Sequence, residues 1–159
     1  MTHEHFMQRA LQLADIAAQQ GEIPIGAVVV LNGEVIGEGY NQTITTLDPS
    51  AHAEMVAIRQ AAKAIGNYRL VDCTLYVTIE PCTMCVGALI HGRVDRVVFG
   101  ATEPKAGAVI SQNRLFDHDS VNTTVEYLGG VCEAGCRSII SDFFAQRRAQ
   151  KKQDKKRSI

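Results

Sequence analysis

The sequence predicts an α/β fold, a three-layer α/β/α domain built around a mixed five-stranded sheet, and three observations predict it. Five short runs are rich in β-branched and aromatic residues, they alternate with runs of helical periodicity, and an Asn32-Gly33 pair separates the first two. The Asn-Gly pair makes the opening strands an antiparallel hairpin, whereas the strand, helix, strand order that follows calls for parallel neighbours, which need a crossover helix. A chain of 159 residues with 46% hydrophobic content can bury one sizeable core. One domain is therefore expected over residues 1–150, with a basic C-terminal tail at 151–159.

Taken in order, Phe6, Ala10, Leu13, Ala14 and Ala17 recur at helical spacing, so a helix is expected from about residue 2 to 19, stopped by Gly21. Residues 25–31 and 34–40 read as the hairpin strands. A polar loop, 41–50, leads through Pro49-Ser50 into a helix over about 51–65. Residues 72–80 are rich in Thr, Val, Tyr and Ile and read as a buried strand, after which Pro81 can start a helix reaching about His91. Residues 93–100 read as the next strand; 101–122 is only weakly periodic, and 123–128 can add a fifth strand. From about Glu133, Ile139, Ile140, Phe143 and Phe144 give a closing helix its apolar face. Adjacent phenylalanines cannot both face the core, so one of the pair is expected outside.

The net charge of -1 conceals an uneven distribution. Residues 1–146 carry -7, and residues 147–159 carry +6 through Arg147, Arg148, Lys151, Lys152, Lys155, Lys156 and Arg157 against Asp154. Such a run can neutralise phosphates or simply form a solvated helix end. No apolar run approaches the roughly 18 residues of a membrane span, and the first residues lack the apolar core of a signal peptide, so a cytoplasmic protein is expected. The five cysteines are odd in number and lack framework spacing, which favours thiolate ligands in a reducing compartment over disulfides.

The chemistry concentrates at two predicted helix starts. His52-Ala53-Glu54 opens one and Pro81-Cys82-Thr83-Met84-Cys85 opens the other. Cysteines three apart share a helix face and can grip one ion, and His52 can join them if it sits at the first turn. Helix N-termini lower thiolate pKa values. Three N and S ligands leave a tetrahedral zinc one position open, the mark of a catalytic site. Cys73, Cys132, Cys136 and His91 are the candidates for a fourth ligand, and none has a short spacing to the Pro-Cys motif. Zinc would acidify a bound water from about pKa 15.7 to about 7, and Glu54 beside it could carry that water's proton to the ring and to the departing amine of a nucleobase.

The sequence resembles the cytidine deaminase superfamily and, within it, the bacterial tRNA-specific adenosine deaminases. The resemblance rests on Glu22-Ile23-Pro24-Ile25-Gly26-Ala27, Gly37-Glu38-Gly39-Tyr40-Asn41, Ala51-His52-Ala53-Glu54, Leu75-Tyr76-Val77-Thr78-Ile79-Glu80-Pro81-Cys82 with Met84-Cys85, and Ser141-Asp142-Phe143-Phe144 before Arg147-Arg148. It implies one zinc per subunit on His52, Cys82 and Cys85, with Glu54 as proton shuttle. It further implies substrate contacts from Asn41, the Ala53 backbone amide, Lys105, Phe144 and Arg148, a homodimer, no organic cofactor, and a tRNA anticodon stem-loop as partner. The implied reaction is adenosine to inosine at the wobble position of an arginine tRNA with anticodon ACG. The sequence departs from the family at Thr102-Glu103-Pro104-Lys105, with Glu for the usual Asp, and over 109–124. The rival functions are a deaminase of a free base or nucleoside such as guanine or cytosine, which would need no RNA contacts, and a non-catalytic zinc-stabilised domain, which would have no use for Glu54.

Overall fold

In a computed structural model, residues 2–158 are described. The elements in chain order are α1 (His3–Gln19), β1 (Gly26–Leu31), β2 (Glu34–Tyr40), α2 (Ala53–Ile65), β3 (Thr74–Ile79), α3 (Thr83–His91), β4 (Arg96–Ala101), a single 3-10 turn (Leu115–Asp117), β5 (Glu126–Leu128) and α4 (Glu133–Arg157). The strands form one mixed sheet in the order β2-β1-β3-β4-β5. Strand β1 is antiparallel to both β2 and β3, while β3, β4 and β5 run parallel. The two crossovers differ. Helix α3 joins strands that pair with each other, β3 and β4, whereas α2 carries the chain from β2 past β1 to β3.

Alternation along the central strands divides the core in two. Ala27, Val29, Leu75, Val77, Val97 and Phe99 face the cluster that contains Ala53, Ala57 and Ala61 of α2 and Val86 and Leu89 of α3. Val28, Val30, Tyr76 and Val98 face Phe6, Met7, Ala10 and Leu13 of α1 and Cys136 of α4. Both faces being covered, the central strands read as unbroken apolar runs. On this second face His3 bonds the Tyr76 hydroxyl at 2.8 Å through Nδ1.

Glycine brings α2 close to the sheet. A Cβ on Gly37 would lie 2.8 Å from the Ala61 nitrogen and 2.9 Å from the Ala61 Cβ, and one on Gly39 would lie 2.7 Å from the Ala57 nitrogen. Backbone cannot yield as a side-chain tip can, so Gly37→Ala must push α2 outward. We expect a loss of about 2–3 kcal/mol from this overpacking, seen as a fall of roughly 5–10 °C in Tm for a domain of this size. An unchanged Tm would mean that α2 does not depend on this approach.

Several boundaries differ from the sequence expectation for local reasons. Helix α3 starts at Thr83, not at Pro81, because the chain is still extended there: the Pro81 carbonyl accepts the Ala108 N–H at 2.8 Å, and Cys82 bridges Gly107 as a strand would. Strand β4 starts at Arg96, three residues late, because Arg93 turns the chain at φ 56° and the Val94 N–H returns to the Leu89 carbonyl. Strand β5 is only three residues long at the sheet edge. The expected basic tail is helical through Arg157 and continuous with the rest of α4.

Candidate metal centre

Helices α2 and α3 begin at the same place in space, and each is preceded by a residue suited to metals. His52 caps α2 in an extended conformation, φ -71° and ψ 154°, and Cys82 caps α3 at φ -80° and ψ 175°. Neither side chain makes a capping hydrogen bond. Ser, Thr, Asp or Asn at such positions would stabilise a helix by about 1 kcal/mol; here both side chains are left uncommitted to the backbone. His52 is set in place by the turn before it, in which the Asp48 carboxylate accepts the Ser50 N–H and hydroxyl and the Asp48 carbonyl accepts the Ala51 N–H.

The result is a three-membered cluster. His52 Nδ1 lies 3.6 Å from Cys82 Sγ and 3.6 Å from Cys85 Sγ, and the three donor atoms all lie within 4.8 Å of one another. Zinc bonds of about 2.3 Å to sulfur and about 2.05 Å to nitrogen, at a tetrahedral angle, put S and N about 3.6 Å apart. The donor set and its spacing therefore fit zinc. Cys73, Cys132, Cys136 and His91 are not in the cluster; Cys73 and Cys136 are buried among apolar neighbours.

The electrostatics make Cys82 the anionic member of the pair. Cys82 is brought down to about 4, chiefly by the hydrogen bond from Cys85 and against the desolvation of burial, with help from His52. The same bond, with burial and the nearby Glu54, pushes the Cys85 thiol up. His52 is raised, first by its bond to Cys82. Glu54, in the first turn of α2, is 3% exposed. Burial raises its carboxyl above the usual range, with its own backbone N–H pulling the other way. A buried carboxyl beside the Cys85 thiol and close to the Cys82 thiolate is the kind of perturbed group that exchanges protons at a reactive site.

Asn41 ends just after β2 and is 5% exposed. Its backbone N–H bonds the Ile25 carbonyl at 3.1 Å, while among the described residues its side-chain amide makes no hydrogen bond. The amide is thus not consumed by its own turn. Ala53 is fully buried at the start of α2, between His52 and Glu54. Lys105 is exposed in the loop that meets Cys82 through Gly107. Phe144 and Arg148 are placed elsewhere: α4 packs on α1, β3 and β4, and among the described residues it does not touch α2 or α3. Phe143 is the inward member of the pair, 8% exposed, and Phe144 the outward one, 39% exposed.

Two carboxylates that sequence reasoning gave no role build the walls of the site. Glu80, 2% exposed, precedes Pro81-Cys82 and accepts the N–H groups of Glu103, Val109, Ile110 and Ser111 and the Ser111 hydroxyl. It clamps the 103–111 loop against the Cys82 turn. Gly107 has no room for a Cβ beside that carboxyl. Glu22, fully buried, accepts the N–H groups of Ile44 and Thr45 at 3.2 and 2.7 Å and holds the loop that leads to His52. A glutamate set in an apolar run with no Lys or Arg near it in sequence was the available signal, since such a carboxylate must find its donors in backbone.

Burial acts to raise Glu22, but the hydrogen bonds from Thr45, Ile44 and Thr43 outweigh it and its pKa is lowered from 4.5. A lowered folded-state pKa contributes stability that is full above the unfolded value and is lost as pH falls through the folded one. We therefore expect the urea midpoint to hold from pH 7 down to about 5.5 and to fall below about 4.5, where unfolded glutamate protonates. Glu22→Gln should lower the midpoint at pH 7 and shrink that acid-side fall; an identical pH profile would remove Glu22 from the account.

Comparison with known proteins places this geometry. The model of the MafB19-like deaminase family matches residues 1–148. The tRNA-specific adenosine deaminase of Haemophilus influenzae is 50% identical over 153 residues, covering 96% of this chain and 88% of that one. A structure solved in a study of A-to-I editing by tRNA:A34 deaminases superposes with a TM-score of 0.83 at 43% identity, covering 85% of this chain and 98% of that one. A guanine deaminase from Bacillus subtilis is also similar, with a TM-score of 0.62 and 47% identity over 64% of this chain and 66% of that one.

Proposed function

Since this chain belongs to the MafB19-like deaminases and, among them, to the tRNA-specific adenosine deaminases, we propose that it converts adenosine to inosine at the wobble position of a tRNA, using zinc held by His52, Cys82 and Cys85. It is a hydrolytic deaminase that acts on tRNA adenosine. The observation that carries the reading of the site is the pair of 3.6 Å distances from His52 Nδ1 to the two thiols beside the buried Glu54.

Bound there, zinc would supply a water acid enough to act as nucleophile at neutral pH. The rest of the chemistry falls to the chain. Glu54 takes a proton from the attacking water and delivers it to N1 of adenine as C6 becomes tetrahedral. It then passes the remaining water proton to the C6 amine, which leaves as ammonia, and the C6 oxygen stays as the carbonyl of inosine. Burial suits Glu54 to this work, because a raised pKa brings it nearer to the groups with which it exchanges protons. The Asn41 amide and the Ala53 N–H orient the nucleoside.

The relatives favour a large substrate over a free base. Phe144 and Arg148 sit on the helix layer opposite α2 and α3, so a substrate touching them and the metal site extends well beyond one nucleobase. We assign the tRNA as an arginine tRNA with anticodon ACG, edited in the cytoplasm by a homodimer. Leu47, Tyr68 and Met84 offer exposed apolar surface for a second copy. Among the described residues no helix is long and apolar enough to cross a membrane. The test is conversion of A to I in an anticodon stem-loop bearing ACG, with free guanine, cytosine and adenosine in competition. Inosine from the stem-loop alone bears out the proposal; turnover of a free base alone overturns its substrate.

A further inference from the structure

The family match ends at residue 148, but α4 continues to Arg157. Residues 149–157 add four Lys and one Arg against one Asp, and all of them are exposed. At about 100° per residue, Arg148, Lys151, Lys152, Lys155 and Lys156 fall within an arc of roughly 140° on the helix. Phe144 lies on the same arc, at its N-terminal end. Phe143, Arg147, Gln150 and Asp154 lie on the other side, where the helix meets the body: the Arg147 guanidinium donates to the Gly21 carbonyl at 2.7 Å and stacks 5.0 Å from the Phe143 ring. Arg147 is thus the pin that fixes the helix, and Asp154 points away from the cations, bonded to Gln150. Among the described residues none of the five cations on the arc takes part in an ion pair.

We propose that this extension is a phosphate-binding arm: the stripe Arg148, Lys151, Lys152, Lys155 and Lys156 grips the backbone of the substrate RNA's stem, outside the loop that enters the active site. The proposal rests on the tRNA reading above and deepens it. Successive pairs along the stripe are spaced by four residues, roughly 6 Å, comparable with the step between phosphates along one RNA strand. The stripe from Arg148 to Lys156 covers about 12 Å, enough for two or three such steps. Lysine on a helix suits this task, since it neutralises phosphate as a point charge without reading sequence. The body of the protein carries -7 over residues 1–146 and the end of the chain +6 over 147–159, so the net electrostatic attraction for RNA is concentrated on the end of α4. The rigid continuation of α4 holds these cations in line with Phe144, whose exposed ring can stack on a base.

The test uses the full-length protein and two RNAs, an ACG loop closed by a full five-pair stem and the same loop closed by two pairs. The variant replaces Lys151, Lys152, Lys155 and Lys156 with Gln, and a second replaces the same four with Arg; zinc content and Tm serve as fold controls. We expect the wild type to prefer the long stem, and the Gln variant to lose that preference with a roughly tenfold to hundredfold weaker Kd near 0.15 M salt. Its slope of log affinity against log salt should become shallower by about 0.7–0.9 per phosphate contact removed. The Arg variant should keep both. Unchanged Kd and slope in the Gln variant would overturn the arm, as would a Gln variant whose self-association weakens while RNA binding holds, because the stripe would then serve a second copy. A wild type that binds RNA with this slope yet forms no inosine would overturn the deaminase reading and leave the arm standing.

Discussion

Glu54→Ala protein folds, carries one zinc per chain and loses about 10²–10⁴-fold in kcat on an ACG stem-loop, the scale of a positioned acid-base group. The variant is not expected to be less stable. Glu54 is 3% exposed, burial outweighs the nearby His52 and raises its carboxyl above its usual range, and a carboxyl whose desolvation is not offset is a cost to the fold that function retains. Tm should therefore stay level or rise while turnover falls. Three readouts, metal content by mass or emission spectrometry, Tm, and single-turnover inosine formation, separate the possible meanings. Retained turnover would remove Glu54 as the proton shuttle. Lost zinc together with lost turnover would make it a structural support of the ligands.

Cys85→Ala is the second large effect. Cys85 is fully buried, and loss of one sulfur from a packed core alone costs on the order of 1 kcal/mol. If Cys85 is a ligand, the loss also includes metal binding that is coupled to folding, so zinc stoichiometry should drop toward zero and Tm by well over 10 °C, with no detectable deamination. Cys73→Ala is the control. Cys73 is equally buried but belongs to the apolar core beneath α2 and α3, so that variant should keep its zinc and lose only the packing increment. Full zinc occupancy in Cys85→Ala would end the assignment of the His52, Cys82 and Cys85 site.

Much of the fold was legible because it is written in short-range signals. The alternating strands, the Asn32-Gly33 turn and the amphipathic α1 rest on spacing within a few residues. The metal cluster was legible for a chemical reason: His and Cys at helix starts are uncommon capping residues, and their types suggest a shared ion. The misplaced boundaries have the opposite character. Pro81 is compatible with a helix start in isolation, yet Ala108, 27 positions on, draws its carbonyl into a bridge instead. The roles of Glu22 and Glu80 were equally hidden, since their donors are backbone N–H groups of remote loops, and backbone carries no residue label to read.

By itself the sequence determined the inventory: which side chains can ligate, which carboxylate stands two residues from the histidine, which runs make strands and helices, and how charge divides between an acidic body and a basic end. Only the tertiary structure decided where these meet. The α2 crossover past β1, together with the close seat that Gly37 and Gly39 allow, brings His52 to within 3.6 Å of two cysteines some thirty residues away. It also put Phe144 and Arg148 on the far layer and ran the basic end straight out from it. The physical reason is range: propensity and periodicity act over a turn or two of chain, whereas convergence of two helix ends is set by sheet order and packing distance, which no local stretch encodes.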